Sequence, residues 1–165
     1  MNTGDQGVNL NGTHGRIHRA QFFLASEFNT ISGSSTFHYL ISTHTNAAHL
    51  NFDVISDGDI EITFRKQVTA SVAGNVVPGL NLNDFSAKTA KTIITSNATL
   101  SDSGVLWECI LNLNSAGKSG GTKVSASRVE EFILKTNDFY TLSIENLNAT
   151  TIELCTRIGW YEPEV

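Results

Sequence analysis

Ala116-Gly117-Lys118-Ser119 ends the way a phosphate-binding loop ends. That chemistry needs an earlier glycine where this chain has Asn112, and a following helix whose backbone N–H groups point at the phosphate. Gly120, Gly121 and a Val/Ser run follow instead, so the segment reads as a hairpin loop without a nucleotide. His38, His44 and His49 lie close together, as ligands on a β scaffold do. A strand-borne metal site wants two imidazoles one residue apart, facing inward, with a carboxylate soon after. Between His44 and His49 stands Thr45-Asn46-Ala47-Ala48, a turn where the paired ligands belong, and His14 and His18 sit in or beside a Gly-rich leader. Half-buried or surface imidazoles and no resident metal or cofactor are expected. A Ser-His-Asp nucleophile needs a strained turn of the Gly-x-Ser-x-Gly kind. Ser32-Gly33-Ser34-Ser35 and Ser101-Asp102-Ser103-Gly104 lack its flanking glycines. Glu130-Glu131 and the pair Asp57 and Asp59 are candidates for glycoside cleavage by residue type alone, and they read more simply as edge and turn charges.

The elements that would carry these residues follow from composition and period. Of 165 residues, 40% are apolar and only 16% charged, against about a quarter charged in an ordinary domain. Thr, Ser, Asn and Gly take their place, a mixture that suits strands and turns. The length is natural for one domain. The net charge of −5 argues against nucleic acid held on a basic face. No apolar run is long enough to span a bilayer, and the start, Met1-Asn2-Thr3-Gly4-Asp5, has no secretory pattern. Cys109 and Cys155 each lie within an apolar run and are expected as separate thiols. The Asn-x-Thr sequons at Asn11, Asn97 and Asn148 are common by chance in such a chain.

Residues 1–19 hold too few large apolar side chains to offset the entropy of ordering, and are expected as a flexible arm before a domain over 20–165. Ala20 to Phe28 fits helix or strand. Phe37, Tyr39 and Ile41 alternate with polar or outward neighbours, as do Leu50, Phe52 and Val54. Asp57-Gly58 then suggests a type I′ turn leading to Ile60, Ile62 and Phe64, so a hairpin over 49–66 is expected. Ala73-Gly74-Asn75 reads as a turn, 76–84 as extended loop, and Thr89 to Thr95 as a strand. Val105 to Leu113 places Trp107, Cys109, Leu111 and Leu113 on one face, and 114–121 is a mobile loop by composition. Glu131 to Leu134 is a short strand. Tyr140, Leu142 and Ile144 mark another, and Ile152, Leu154, Thr156, Ile158 and Trp160 the last. Seven or eight strands with turns between them specify an all-β, antiparallel β-sandwich or jelly roll. Trp160 is expected inward; Tyr161, on the other face, is either a core cap or an interface anchor.

Glu131-Phe132-Ile133-Leu134-Lys135, then Asn137-Asp138-Phe139-Tyr140-Thr141-Leu142-Ser143-Ile144-Glu145-Asn146-Leu147, then Ile158-Gly159-Trp160-Tyr161-Glu162 resembles the C-terminal half of small virion proteins of tailed bacteriophages. Phe37-His38-Tyr39-Leu40-Ile41, Ala48-His49-Leu50-Asn51-Phe52 and Ile60-Glu61-Ile62-Thr63-Phe64 follow that family's run of hairpins, and the likeness spans about residues 30–162. Thr136 replaces the usual Pro, Ser143-Ile144-Glu145 replaces Arg-Leu-Thr, and Arg65-Lys66-Gln67 stands in place of Tyr-Glu-Gly-Pro. The resemblance implies a virion structural protein, a capsid decoration or cement protein made in the host cytoplasm. Its partner is then the major capsid protein, and its own state a homotrimer that uses neither nucleic acid nor membrane. The expected contact residues are Arg16, His18 and Arg19 at the end of the arm, Phe22 and Phe23 beside it, and Tyr161. Two other readings stay open: a receptor-binding or fibre-tip module that grips a host glycan or protein, and a carbohydrate-active jelly-roll enzyme.

Overall fold

A strand that is wet on one side shows alternating side chains, and Ala48–Ser56 shows it without a break: every second residue is buried, from Ala48 to Ser56. The computed structural model describes residue 19 and residues 21–112, 124–127 and 131–163, and every regular element among them is a β-strand. In chain order these are β1 (Phe22–Ile31), β2 (Thr36–Ser42), β3 (Ala48–Ser56), β4 (Ile60–Lys66), β5 (Thr69–Val72), β6 (Asn75–Val77) and β7 (Leu80–Asn81). Then come β8 (Ile93–Ser96), β9 (Thr99–Asp102), β10 (Val105–Asn112), β11 (Val124–Ser127), β12 (Phe132–Leu134), β13 (Phe139–Asn146) and β14 (Ile152–Tyr161). The arm over 1–18 and the loop 114–121 lie outside the described residues.

Two antiparallel sheets face each other. The first runs β11-β3-β14-β1-β7, with β12 also on β3, and the second β10-β4-β13-β2-β8-β6. Setting aside the insertion 67–104, β1-β14-β3-β11/β12 lies over β2-β13-β4-β10. That is the strand order of a jelly roll, two interleaved Greek keys. The insertion then closes one side: β7 extends the first sheet beyond β1, and β8 and β6 extend the second beyond β2. The β6–β7 segment, expected as loop, thus supplies edge strands. Ala73-Gly74-Asn75 is the expected turn, and Gly74 is needed there: its φ is +86°, and a Cβ would lie 2.1 Å from the Ser96 carbonyl oxygen.

The hairpin expected over 49–66 does not form. β3 and β4 are strands, but β3 pairs with β14, β11 and β12 while β4 pairs with β13 and β10, so the chain crosses between sheets at Asp57-Gly58. Gly58 has no positive φ, so the turn is not type I′. It is tightened from inside instead, with the Gly58 N–H donating to Ser56 Oγ at 3.1 Å and Glu153 N–H donating to Asp57 Oδ1 at 2.8 Å. Ala20 to Phe28, ambiguous by pattern, is strand from Phe22 onward, paired residue by residue with β14.

The core is aromatic at one end, where the Phe64 and Phe132 rings lie 4.3 Å apart and Phe52 stacks on Phe132 at 6.4 Å. Trp107 joins them because β10 carries a bulge: Leu106 pairs with Arg65 and Glu108 with Phe64, leaving Trp107 as the extra residue. Its ring meets Phe132 edge-on at 5.0 Å. Cys109 and Leu111 pair with Thr63 and Glu61 on the outer side, so the single face expected for Trp107, Cys109, Leu111 and Leu113 is split by that bulge; Leu113 lies outside the described residues. At the other end Trp160, inward as expected, stacks on Phe23 at 5.8 Å. Its Nε1–H donates to Glu162, whose carboxylate also accepts the Thr92 N–H at 2.7 Å and the Lys91 N–H, tying the insertion to the end of β14.

The two outer faces differ. β5 and β9 pair with each other over the second sheet, burying Leu40 with Val68 and Ala98. Under this cover Thr141 and Ser143 are buried on the outer side of β13, and His38 Nδ1 lies 2.7 Å from Ser143 Oγ. Burial pushes the His38 imidazole below its ordinary 6.5. On acidification the unfolded chain takes up this proton first, so His38's contribution is fully present above about pH 6.5 and is lost as the pH falls below it. Thermal midpoints of the wild type should therefore fall between about pH 7 and pH 5, and His38→Gln should flatten that part of the slope.

Candidate functional site

Side chains on the outer face of the first sheet fall into cross-strand rows, because directly paired residues project to the same side. The row nearest the β1 start is Ile133, His49, Tyr161 and Phe22. Next comes Asn51, Gly159, Leu24 and Leu80. Gly159 is bare for a reason: a Cβ there would lie 2.7 Å from Asn51 Oδ1 and 3.2 Å from Phe22 Cζ, so the Phe22 ring lies across it. A polar row of Asp53, Arg157 and Ser26 crosses the middle, and Ile55, Cys155 and Phe28 form the row beyond. The sheet thus carries an apolar patch at each end and a charged band between them. Phe28 is 82% exposed, Leu80 66% and Ile133 62%, large values for side chains this apolar.

Tyr161 is not a free anchor. It is buried, its hydroxyl lies 2.5 Å from His49 Nδ1, and the two rings are 4.3 Å apart. The same nitrogen lies 3.3 Å from Glu131 Oε2, with both side chains partly exposed. This arrangement of phenol, imidazole and carboxylate pins the end of β14 to β3 and to the start of β12. Phe23, expected among the contact residues, is only 3% exposed and packs on Trp160; the strand's alternation turns it inward when Phe22 turns outward. Phe22 lies on the outer face as an interface residue must, and Arg19 is exposed in a turn. Arg16 and His18 lie outside the described residues.

The other chemical candidates disperse. His38 sits on the outer side of the second sheet and His49 on that of the first, with the sandwich between them. No group of three His, Cys, Asp or Glu able to hold a metal ion occurs among the described residues. Cys109 and Cys155 are free thiols on opposite outer faces. Asp57 is spent on the Glu153 N–H, and Glu130 lies outside the described residues. No helix among the described residues is long and apolar enough to cross a membrane.

Leu24, Phe28, Ile55, Leu80, Ile133 and Cys155 were not among the sequence candidates. One signal was present: Phe22-Phe23-Leu24-Ala25 is apolar at consecutive positions, and a strand with such a run buries or offers both of its faces. Phe28, Cys155 and Ile55 give no such signal, since only the pairing brings them together. No protein-family model matches the chain, and no curated protein matches it in sequence.

Proposed function

We propose that this chain is a structural protein of a tailed-bacteriophage particle, a decoration or cement protein that binds the major capsid lattice and stabilises the head. The observation that carries the reading is the outer face of the first sheet, where Phe28, Ile133 and Leu80 stand exposed while β5 and β9 cover the Leu40 region of the second sheet. A contact face of this kind, apolar at two ends with a charged row between, suits permanent packing of three copies around a seam. The sequence resemblance described above supplies the setting, and the jelly-roll order agrees with the compact β domain it implies. In this reading residues 1–19, Arg16, His18 and Arg19 among them, reach from the trimer to the major capsid protein and gain contacts at the cost of ordering. Nucleic acid and membrane take no part.

The test is assembly and capsid binding. The purified chain should scatter light as a threefold multiple of its 17.9 kDa and co-sediment with expanded capsids but not with immature ones. Deleting residues 1–19 should leave the trimer intact and weaken capsid binding by at least about tenfold. A stable monomer without affinity for either capsid form rules the reading out.

A further inference from the structure

Inward positions of a sandwich strand are apolar, because they face the core. β1 obeys this at Phe23, Ala25 and Ile31 and breaks it twice between them, at Glu27 and Asn29. A rule broken at two successive inward positions without an apolar substitute marks a place where something other than packing is served. The two side chains meet a third polar group from the opposite sheet. Asn29 Nδ2 donates to Glu27 Oε2 at 2.9 Å and to the Tyr39 hydroxyl at 2.8 Å, and Ser96 Oγ donates to Glu27 Oε1 at 3.1 Å. Burial pushes the Tyr39 phenol far above its ordinary value, so it remains a neutral hydroxyl.

This cluster is not sealed. β7 covers the β1 edge only at Phe23 and Leu24, and β8 covers β2 only from Tyr39 to Ser42. Between the uncovered edges opens a groove of about 410 Å³, with Glu27 and Asn29 in its wall and Ser35, Thr36, Asn75 and Asn97 around it. The volume falls in the range of small-ligand sites. Both Asn29 N–H groups are committed, which leaves its carbonyl oxygen and the spare lone pairs of Glu27 as acceptors in the groove wall. Phe37, edge-on to Tyr39 at 5.2 Å, adds an apolar surface.

We infer that this groove binds a saccharide, with the Glu27 carboxylate and the Asn29 carbonyl accepting hydrogen bonds from neighbouring sugar hydroxyls and Phe37 meeting a C–H face of the ring. Other ligand classes fit less well. No Lys or Arg lines the groove to hold an anion, and a single carboxylate is too few hard ligands for a divalent cation. An apolar ligand would strand the Glu27 and Asn29 acceptors. A planar carboxylate and amide side by side match vicinal hydroxyls. The groove opens at the side of the sandwich, so this binding stands whether or not the chain is part of a virus particle.

The full chain is first screened on a printed array of mono- to tetrasaccharides. Hits are then titrated while backbone amide shifts are recorded. At least one saccharide should bind saturably, with a dissociation constant on the order of 1 mM for a single ring. The shifts should be confined to residues 27–37, Asn75, Ser96 and Asn97. Glu27→Gln should weaken binding by about tenfold. Asn75→Trp, on the exposed rim and outside the hydrogen-bonded cluster, should block it with the thermal midpoint unchanged. The inference is overturned if no saccharide at about 10 mM moves the groove amides, or if binding is undiminished in Asn75→Trp. Groove shifts produced by calcium chloride or a lysine-containing peptide but by no saccharide also overturn it.

Discussion

In the proposed trimer, Phe28→Asp combined with Ile133→Asp should give monomers without unfolding the chain. Each side chain is mostly exposed in the single chain, so its loss removes little from the fold; the thermal midpoint should move by no more than about 4 °C. At an interface the balance is different. Fully covering a Phe or Ile contributes about 1.5–3 kcal/mol, and a carboxylate forced into the same place brings a desolvation penalty of several kcal/mol. Two such changes, one in each apolar patch, should weaken association by far more than about a hundredfold. Light scattering and sedimentation read the result directly. A double variant that keeps the wild-type mass removes the first sheet's outer face from the assembly. Charges placed on the outer side of β9, such as Ser101→Asp, should leave the mass unchanged.

Asn146→Asp should unfold the protein or come close to it. The Asn146 side chain is fully buried at the end of β13, and its amide nitrogen donates to the carbonyls of Ile31 and Ser32 at 3.0 Å and of Thr150 at 2.8 Å. Its oxygen accepts the backbone N–H of Asn148 at 2.8 Å and that residue's side-chain amide at 2.9 Å. One side chain therefore ties the β1–β2 turn to the β13–β14 loop. Gly33 lies in the same contact, where a Cβ would stand 2.1 Å from the Ala149 carbonyl oxygen. A carboxylate in place of the amide sets a charge against three carbonyl oxygens, of which that of Ser32 still accepts from Ser35. A desolvated charge, with the buried hydrogen bond to the Ile31 carbonyl lost, costs on the order of 4 kcal/mol or more. Against a total stability of about 5–15 kcal/mol that is a large share. Asn146→Ala, which loses the donors but adds no charge, should be the milder of the two in urea unfolding. The pH dependence separates the two causes. Burial raises the introduced carboxyl's folded-state pKa above its unfolded value, so the Asp variant's deficit should shrink as the pH falls through that raised value, while the Ala variant's stays constant.

Most strands were legible in the sequence because alternation is a local property. Leu50, Phe52 and Val54 face one way whatever pairs with β3, and so do Ile60, Ile62 and Phe64 in β4. The same property misled at Asp57-Gly58, since two alternating strands joined by a short turn look alike whether they pair or cross between sheets. The bulge at Trp107 was invisible for a related reason. Nothing within Val105–Asn112 says that its partner strand will be matched by one residue fewer.

What the sequence determined by itself was the class: an antiparallel β-sandwich with a weakly charged surface, Trp160 turned inward and the two cysteines apart. Composition and a two-residue period suffice for that, because each depends only on neighbours in the chain. The tertiary structure decided which strands meet. It set Phe28, Cys155 and Ile55 in one row, and it laid β5 and β9 over the Leu40 region of the second sheet while leaving the first apolar at both ends. It also brought Glu27 and Asn29 to Tyr39 and Ser96 across an open groove. Each of these joins residues far apart in sequence, and a contact face or a groove exists only once the chain has closed those distances.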